Sequence, residues 1–201
     1  MRTFSRFILF LAVLVAAATA GATNASAATS YSGHARPLSV SAFGASVNVG
    51  DTGALPSSGG SQSASLTNLS VLGLATIGLL EGTTSGSGDQ SASSASLARV
   101  SAPIVGLTAG LVRSQTTARC SGTTPSVSGS SELVNVTLLG FPIAAPTPNV
   151  AIRLPGGISV LLNEQTSSVN GNQGSITVNA IHVTGPGIDI VVASAESDIT
   201  C

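Results

Sequence analysis

The sequence predicts an all-β protein: a single sandwich- or barrel-like domain built from two internally similar halves and preceded by a cleavable signal peptide. Three observations support this prediction. Apolar and polar residues alternate in short runs, the separators are rich in Gly, Ser, Asn and Pro, and no convincing 3.6-residue apolar stripe follows the first segment. Turns every eight to twelve residues or so are typical of sandwiches and barrels. A β-solenoid is the alternative, although no short repeat period is present.

The first segment, residues 1–28, has the features of a secretory signal peptide. Two arginines precede an apolar run from Phe7 to Ala18, and Ala25-Ser26-Ala27 fits the small-x-small cleavage rule. We expect cleavage after Ala27 or Ala28, which leaves one domain over residues 29–201. The apolar run is short for a membrane span of about 20 residues. An uncleaved membrane anchor is the alternative interpretation.

Each predicted strand either alternates apolar and polar residues or is mostly apolar. Pro155-Gly156-Gly157 and Gly185-Pro186-Gly187 predict tight turns between strands, because Pro fixes φ and Gly supplies positive φ. Residues 71–81 could be read as a helix, but Gly73 and Gly78 favour a buried strand. The other predicted strands are residues 38–43, 45–49, 66–71, 133–138, 152–154, 158–162, 176–183 and 188–193.

Two parts of the chain resemble each other in sequence. Residues 63–73 and 130–140 are identical at five of eleven positions, and residues 81–90 resemble residues 164–173. An alternating strand follows each of the latter segments, and each half then closes on a cysteine. We interpret this as a duplication with halves at about 31–120 and 121–201. Chance similarity between segments rich in Ser, Gly and Leu is the alternative.

The two cysteines, Cys120 and Cys201, stand at equivalent ends of the two predicted halves. In an exported chain we expect them to form one disulfide, because the compartment is oxidising. The loop that this bond closes is long, so it stabilises the fold by roughly 4 kcal/mol at most. Free or intermolecular thiols are the alternative.

The composition excludes several classes of protein. Charged residues make up 7% of the chain and aromatic residues 3%, and all seven basic residues are Arg. A basic stripe for nucleic acid cannot form, and a count of two Cys and two His argues against a zinc site. We therefore expect no nucleic-acid partner, no metal and no cofactor. After the signal peptide, five Arg and eight acidic residues give a net charge of −3, and no apolar stretch reaches membrane-spanning length.

Four residues are weak candidates for a functional site. Asp51 begins an Asp-Thr-Gly triplet, but aspartic-protease chemistry needs two such carboxylates, so a turn explains the triplet better. Glu81 and Glu164 occupy equivalent positions in the two halves and could form the carboxylate pair of a glycosidase. The aromatic platforms usual in sugar-cleaving clefts are almost absent. His182 lies on the face of its strand opposite Ile181, as a half-exposed residue. We expect no catalytic residues.

Several segments resemble the bacterial choice-of-anchor P proteins over essentially the whole exported chain. The segment at residues 193–201, Ala-Ser-Ala-Glu-Ser-Asp-Ile-Thr-Cys, is the most specific, and the others are residues 31–42, 48–53, 55–60, 163–168 and 174–183. The resemblance implies an exported protein whose shared body precedes a variable surface anchor, with no activity and no catalytic residues to carry over. No anchor follows Cys201, so we expect free secretion or loose association with the cell wall.

These observations lead to one functional expectation and two alternatives. We expect a non-enzymatic exported bacterial protein of the cell envelope or extracellular space, with a structural or adhesive role and with envelope components or further copies of itself as partners. A secreted ligand-binding module, for example for carbohydrate, is the first alternative, and a secreted hydrolase is the second. A deep pocket that holds an acid beside Arg or His would favour the alternatives. Flat polar faces over a filled core, and exposed edge strands, would favour the structural role.

Overall fold

A computed structural model describes residues 28–71, 75–103, 106–144 and 147–201. The predicted signal peptide therefore lies almost entirely outside the described residues. The described residues form two antiparallel sheets packed as a sandwich, which confirms the all-β prediction and selects the sandwich over the barrel and the solenoid. Within these ranges, no helix has the length and apolar character needed to cross a membrane.

The sandwich contains thirteen strands within the described ranges. In chain order they are β1 (Ser30–Ala42), β2 (Ala45–Val49), β3 (Gly60–Val71), β4 (Ala75–Ser87), β5 (Gln90–Ala102), β6 (Leu107–Ser121), β7 (Thr124–Val134), β8 (Thr137–Leu138), β9 (Phe141–Pro142), β10 (Val150–Leu154), β11 (Ile158–Asn170), β12 (Gln173–Gly185) and β13 (Ile188–Thr200). The first sheet has the order β10-β11-β12-β13-β1-β2. The second has the order β3-β4-β5-β6-β8-β9, and β7 also pairs with β6.

The predicted hairpins are present, and some strand boundaries differ from prediction. Residues 155–157 connect β10 to β11, and the turn before Ile188 connects β12 to β13. The single strand predicted over 71–81 is wrong, because Val71 ends β3 and pairs with Ala75 at the start of β4. The strand predicted over 133–138 is divided between β7 and β8 at Asn135, whose φ is 51°. No sequence pattern predicted β6.

Each sheet combines strands from both predicted halves. β1 pairs with β13, so the first sheet joins strands from the two ends of the described chain, while β7 adds to the second sheet beside β6. The meanders β4-β5-β6 and β11-β12-β13 are equivalent in form. Near the end of each meander, a cysteine N–H donates to a carbonyl in the first hairpin turn of the same meander. Cys120 donates to Asp89 and Cys201 to Asn172, both at 2.8 Å. Residues 63–71 and 130–134 are not equivalent, because β3 pairs with β4 but β7 pairs with β6. A duplication stays a prediction.

One row of residues across each sheet shifts the inward-facing alternation by one position. In β5 the buried residues are odd-numbered up to Leu97 and even-numbered from Val100, and Arg99 between them has a φ of 54°. The register sets Arg99 opposite Gly78 of β4. A Cβ at Gly78 would collide with the Arg99 guanidinium, so this glycine is needed where the arginine crosses the neighbouring strand. Ala193 of β13, with a φ of 54°, marks the corresponding row of the first sheet.

The interior differs on the two sides of these rows. Toward the β1–β2 and β12–β13 turns, the core is aliphatic and encloses a void of about 20 Å³ lined by side chains such as Leu38, Ile77 and Val183. Toward the cysteines, the core is rich in Gly, Ala, Ser and Thr, with a few aliphatic side chains such as Ile176, Val178 and Ile199. The hydroxyls of Thr84 and Ser93 lie 2.8 Å apart there.

The two sheets approach closely at the cysteine end. A Cβ on Gly33 of β1 would lie 2.5 Å from Thr84 Oγ1 in the opposite sheet. Cα atoms of β13 lie within 8 Å of those of β5 and β6, whereas stacked sheets are usually about 10 Å apart. The disulfide between Cys120 and Cys201, with a Cα–Cα distance of 5.5 Å, joins the sheets at this end and confirms the predicted pairing.

Candidate functional sites on the sheet faces

The four candidate residues from the sequence do not converge on one site. Asp51, Glu164 and His182 belong to the first sheet or its edge, while Glu81 lies on the outer face of the second sheet. Glu81 stands between buried Leu80 and Gly82, so its side chain points away from the sandwich interior. The two glutamates are therefore on opposite outer faces and cannot flank one glycosidic bond.

Asp51 lies in a turn and is held by two basic side chains. Its Oδ1 accepts a 2.7 Å hydrogen bond from the Gly53 N–H, and Gly53 has a φ of 74°, as a turn requires. The same oxygen contacts His34 Nε2, and Arg36 Nε lies 3.4 Å from Oδ2. Burial raises the pKa of Asp51, but the hydrogen bonds from His34 and Gly53 outweigh burial, and the pKa lies below its usual value.

Arg36 also fixes the tautomer of His34. Arg36 Nη2 lies 3.2 Å from His34 Nδ1. Because a guanidinium can only donate, Nδ1 accepts and the imidazole hydrogen is on Nε2, where it faces Asp51. All three side chains are partly exposed, at 24–35% of their surface. The arrangement is a surface ion cluster in which neither imidazole nitrogen is free to act as a base.

Glu164 and His182 form a second cluster on the outer face of the first sheet. Glu164 Oε2 accepts hydrogen bonds from His182 Nδ1 at 2.9 Å and from Asn179 Nδ2 at 2.6 Å. The opposite ring nitrogen, Nε2, faces Asp189 Oδ1 at 3.4 Å without a hydrogen bond of good geometry. His182 is therefore a half-buried strand residue held between two carboxylates.

Glu81 lies in a row of polar residues across the second sheet. The register aligns Glu81 of β4, Ser96 of β5, Arg113 of β6 and Glu132 of β7. Arg113 Nε lies 3.4 Å from Ser94 Oγ. Glu81, Ser96 and Arg113 line a shallow groove whose floor includes Leu79, Ala98 and Leu111. The groove is open to solvent and offers the Glu81 carboxylate as a hydrogen-bond acceptor and the Arg113 guanidinium as a donor.

An acidic pair near the end of the chain was not predicted from the sequence. Glu196 and Asp198 stand on the same face of β13, with His34 and Ser32 opposite them on β1. Burial and the neighbouring Glu196 carboxyl raise the pKa of Asp198 to about 6. The pattern Glu-Ser-Asp alternates as a strand does, but the predicted strand ended at Ala193 and left both acids outside it.

The charges of the domain are divided unequally between its two sheets. The first sheet and its edge carry five acids, two arginines and both histidines, whereas the second sheet and its turns carry three acids and three arginines. The net charge of −3 therefore belongs to the first sheet, and the second sheet is neutral. Nowhere in the described ranges do three His, Cys, Asp or Glu side chains come together to hold a metal ion.

No family model, curated protein or solved structure matches the chain. The resemblance to the choice-of-anchor P proteins therefore stays a prediction. What this protein does has to be argued from its own surfaces.

Proposed function

We propose that this protein is a non-enzymatic exported domain with a structural or adhesive role in the cell envelope or extracellular space. The observation that supports the proposal most directly is the outer face of the second sheet. It is a neutral array of small hydroxyl-bearing residues in register across five strands. One row consists of Ser63, Thr83, Ser94, Gln115 and Ser130.

Such a face suits adhesion better than catalysis. Neighbouring strands are about 4.8 Å apart, and residues on one face recur about every 6.8 Å along a strand, so the hydroxyls form a regular array that can make many weak hydrogen bonds to a surface. His34 and Arg36 are already hydrogen-bonded to Asp51, and His182 to Glu164, on open sheet faces. Both histidines are therefore engaged in contacts with carboxylates.

Cell fractionation and binding of the purified domain test this proposal. We expect the processed protein to begin at Ala28 or Thr29, to be found outside the cytoplasm, and to sediment with producer cells or their matrix. Because the charges of the binding face balance, the bound fraction should change little between about 0.1 M and 1 M salt. A cytoplasmic protein of full length, or binding lost at high salt, would contradict the proposal.

The groove around Glu81 favours a second candidate function, recognition of a polar ligand such as an oligosaccharide. Arg113 and Glu81 lie on either side of Ser96 over a partly apolar floor, which suits a ring that bears hydroxyl groups. Titration with oligosaccharides should show binding that Arg113→Ala abolishes. Arg119→Ala, an exposed arginine on the same strand outside the groove, is the control. Equal binding by both variants would exclude the groove.

A further inference from the structure

Three of the four sheet edges carry features that block pairing with another chain. At one edge of the first sheet β2 is short, and the segment after it continues to bond β1: Thr52 N–H donates to Ala35 at 3.0 Å and Leu55 N–H donates to Gly33 at 2.9 Å. At the opposite edge β10 is also short, and Asn149 N–H donates to the Asn163 carbonyl at 2.9 Å. Short edge strands and covering loops are usual ways to prevent association between sheets.

The two edges of the second sheet differ from each other. β7 carries Pro125 and Glu132, a proline and a charge of the kind that protects an edge. β3 carries neither: its twelve residues contain no charge and no proline. Among the described residues, β3 makes no backbone hydrogen bond outside its ladder with β4, so the groups on its far side are open to solvent.

We propose that β3 is a self-association edge that pairs antiparallel with β3 of a second copy of this chain. The inference goes beyond the proposed function, because it requires no assumption about where the protein acts. The paired segment is residues 60–68, since the strand is regular up to Asn68, where φ is 52°. A two-fold axis at Ala64 centres this segment on itself.

The side chains of β3 fit an isologous contact. In a two-fold pair each residue approaches a residue of the same strand, so any charge would lie near its own copy. β3 instead sets Ser63 of one copy opposite Ser65 of the other, and Ser61 opposite Thr67. Pairs of this kind across strands are favourable. On the other face Leu66, which is 43% exposed, would be covered by the partner strand.

The size of the contact sets the expected strength. Nine residues of strand span about 30 Å. The strip buried along one strand edge is much smaller than the roughly 1,200 Å² of a stable complex. We therefore expect a weak, concentration-dependent dimer. The second sheet carries no net charge, and the charge of −3 lies on the first sheet, so repulsion at the β3 edge is small.

Sedimentation equilibrium of the processed protein with its disulfide intact tests the proposal. We expect the weight-average mass to rise from monomer toward dimer as concentration increases to the millimolar range. Ser63→Lys should keep the protein monomeric, because a lysine on the edge repels its own copy. Ser130→Lys is the matched control: Ser130 is an exposed serine in the same row but on β7, and this variant should dimerise like wild type. A wild-type chain that stays monomeric, or equal effects of the two variants, would overturn the proposal.

Cross-linking supplies a second measurement that does not depend on charge. In a pair centred on Ala64, the two copies of residue 63 are diagonal neighbours about 7–8 Å apart. A short bis-maleimide should therefore cross-link Ser63→Cys faster than Ser130→Cys, and equal rates would refute the pairing. A Ser63→Lys protein that is monomeric but still binds cells would show that adhesion does not require pairing of β3. The self-association edge and the proposed adhesive function can therefore fail independently.

Discussion

Replacing Asp198 by asparagine should stabilise the fold at neutral pH. Asp198 is half-buried on β13 beside Glu196, and burial together with that carboxyl raises its pKa from 3.8 to about 6. An acid whose pKa is higher in the folded state favours folding while it is protonated, below pH 3.8. That contribution is lost as the pH rises through about 6. At pH 7 the wild-type protein therefore bears the full cost of an unfavourably placed carboxylate, which the neutral amide of Asp198→Asn would remove at constant size.

The size of this effect follows from the pKa and from the exposure of the carboxyl. A rise from 3.8 to about 6 corresponds to about 3 kcal/mol at pH 7. Water reaches Asp198, so screening reduces this figure, and we expect Asp198→Asn to raise the free energy of unfolding by about 1 kcal/mol. Near pH 3, well below both pKa values, the carboxyl is protonated in the folded and the unfolded state, and the difference from wild type should almost disappear.

Urea unfolding followed by far-UV circular dichroism at pH 3 and pH 7 measures the difference. Asp89→Asn, at an exposed position in the β4–β5 turn, is the control for simple loss of negative charge. Glu196→Gln should give part of the same gain, because it removes the like charge beside Asp198. An Asp198→Asn variant no more stable than Asp89→Asn at pH 7, or a gain that persists undiminished at pH 3, would contradict the electrostatic explanation.

Three further predictions concern the cysteine end of the sandwich. Replacing Cys120 and Cys201 by alanine should lower the free energy of unfolding by about 4 kcal/mol in chemical denaturation, since the bond closes a loop of 81 residues; a loss under about 1 kcal/mol would contradict this. Gly129→Ala should cost about 1–3 kcal/mol in the same assay, because its methyl group would collide with Val178 and lie 2.9 Å from Ile176 Cδ1. Thr116→Val should cost about 1–3 kcal/mol by removing the 2.8 Å hydroxyl contact with Ser197, while Thr117→Val, next along β6 but on its outer side, should be nearly neutral.

Short-range features of the fold could be predicted from the sequence, and long-range features could not. The turn at residues 155–157 was predicted because Pro and Gly fix φ locally. The pairing of β1 with β13 depends on contacts between residues about 160 positions apart, such as Ser32 and Asp198, which no local pattern encodes. The change of alternation at Arg99 was missed for a different reason. A positive φ is uncommon for arginine, and only the opposing Gly78 shows why it is tolerated.

In the candidate sites, too, local features were predictable from the sequence and contacts between distant segments were not. The turn at Asp51 was predicted from its own residues, but the partners of Asp51 come from β1, where His34 and Arg36 alternate on one face. That spacing was visible in the sequence. It could not be connected to Asp51 until the strand order had brought the two segments together.

The unusual composition follows from the separation between the sheets. Where Cα atoms of opposite sheets lie within 8 Å, little room remains for side chains, and Ile176 and Val178 are accommodated there by Gly129 on the opposite strand. Positions such as Gly33 and Gly129 exclude even a methyl group without movement of their neighbours. An aromatic core would force the sheets apart and break contacts between them, such as that between the hydroxyls of Thr116 and Ser197. The two phenylalanines in the described residues are outside the core, with Phe43 77% and Phe141 74% exposed. A core rich in Ala, Ser, Thr and Gly therefore needs close backbone approach and a disulfide for its stability, which is why we expect the cysteine end to be the most sensitive to substitution.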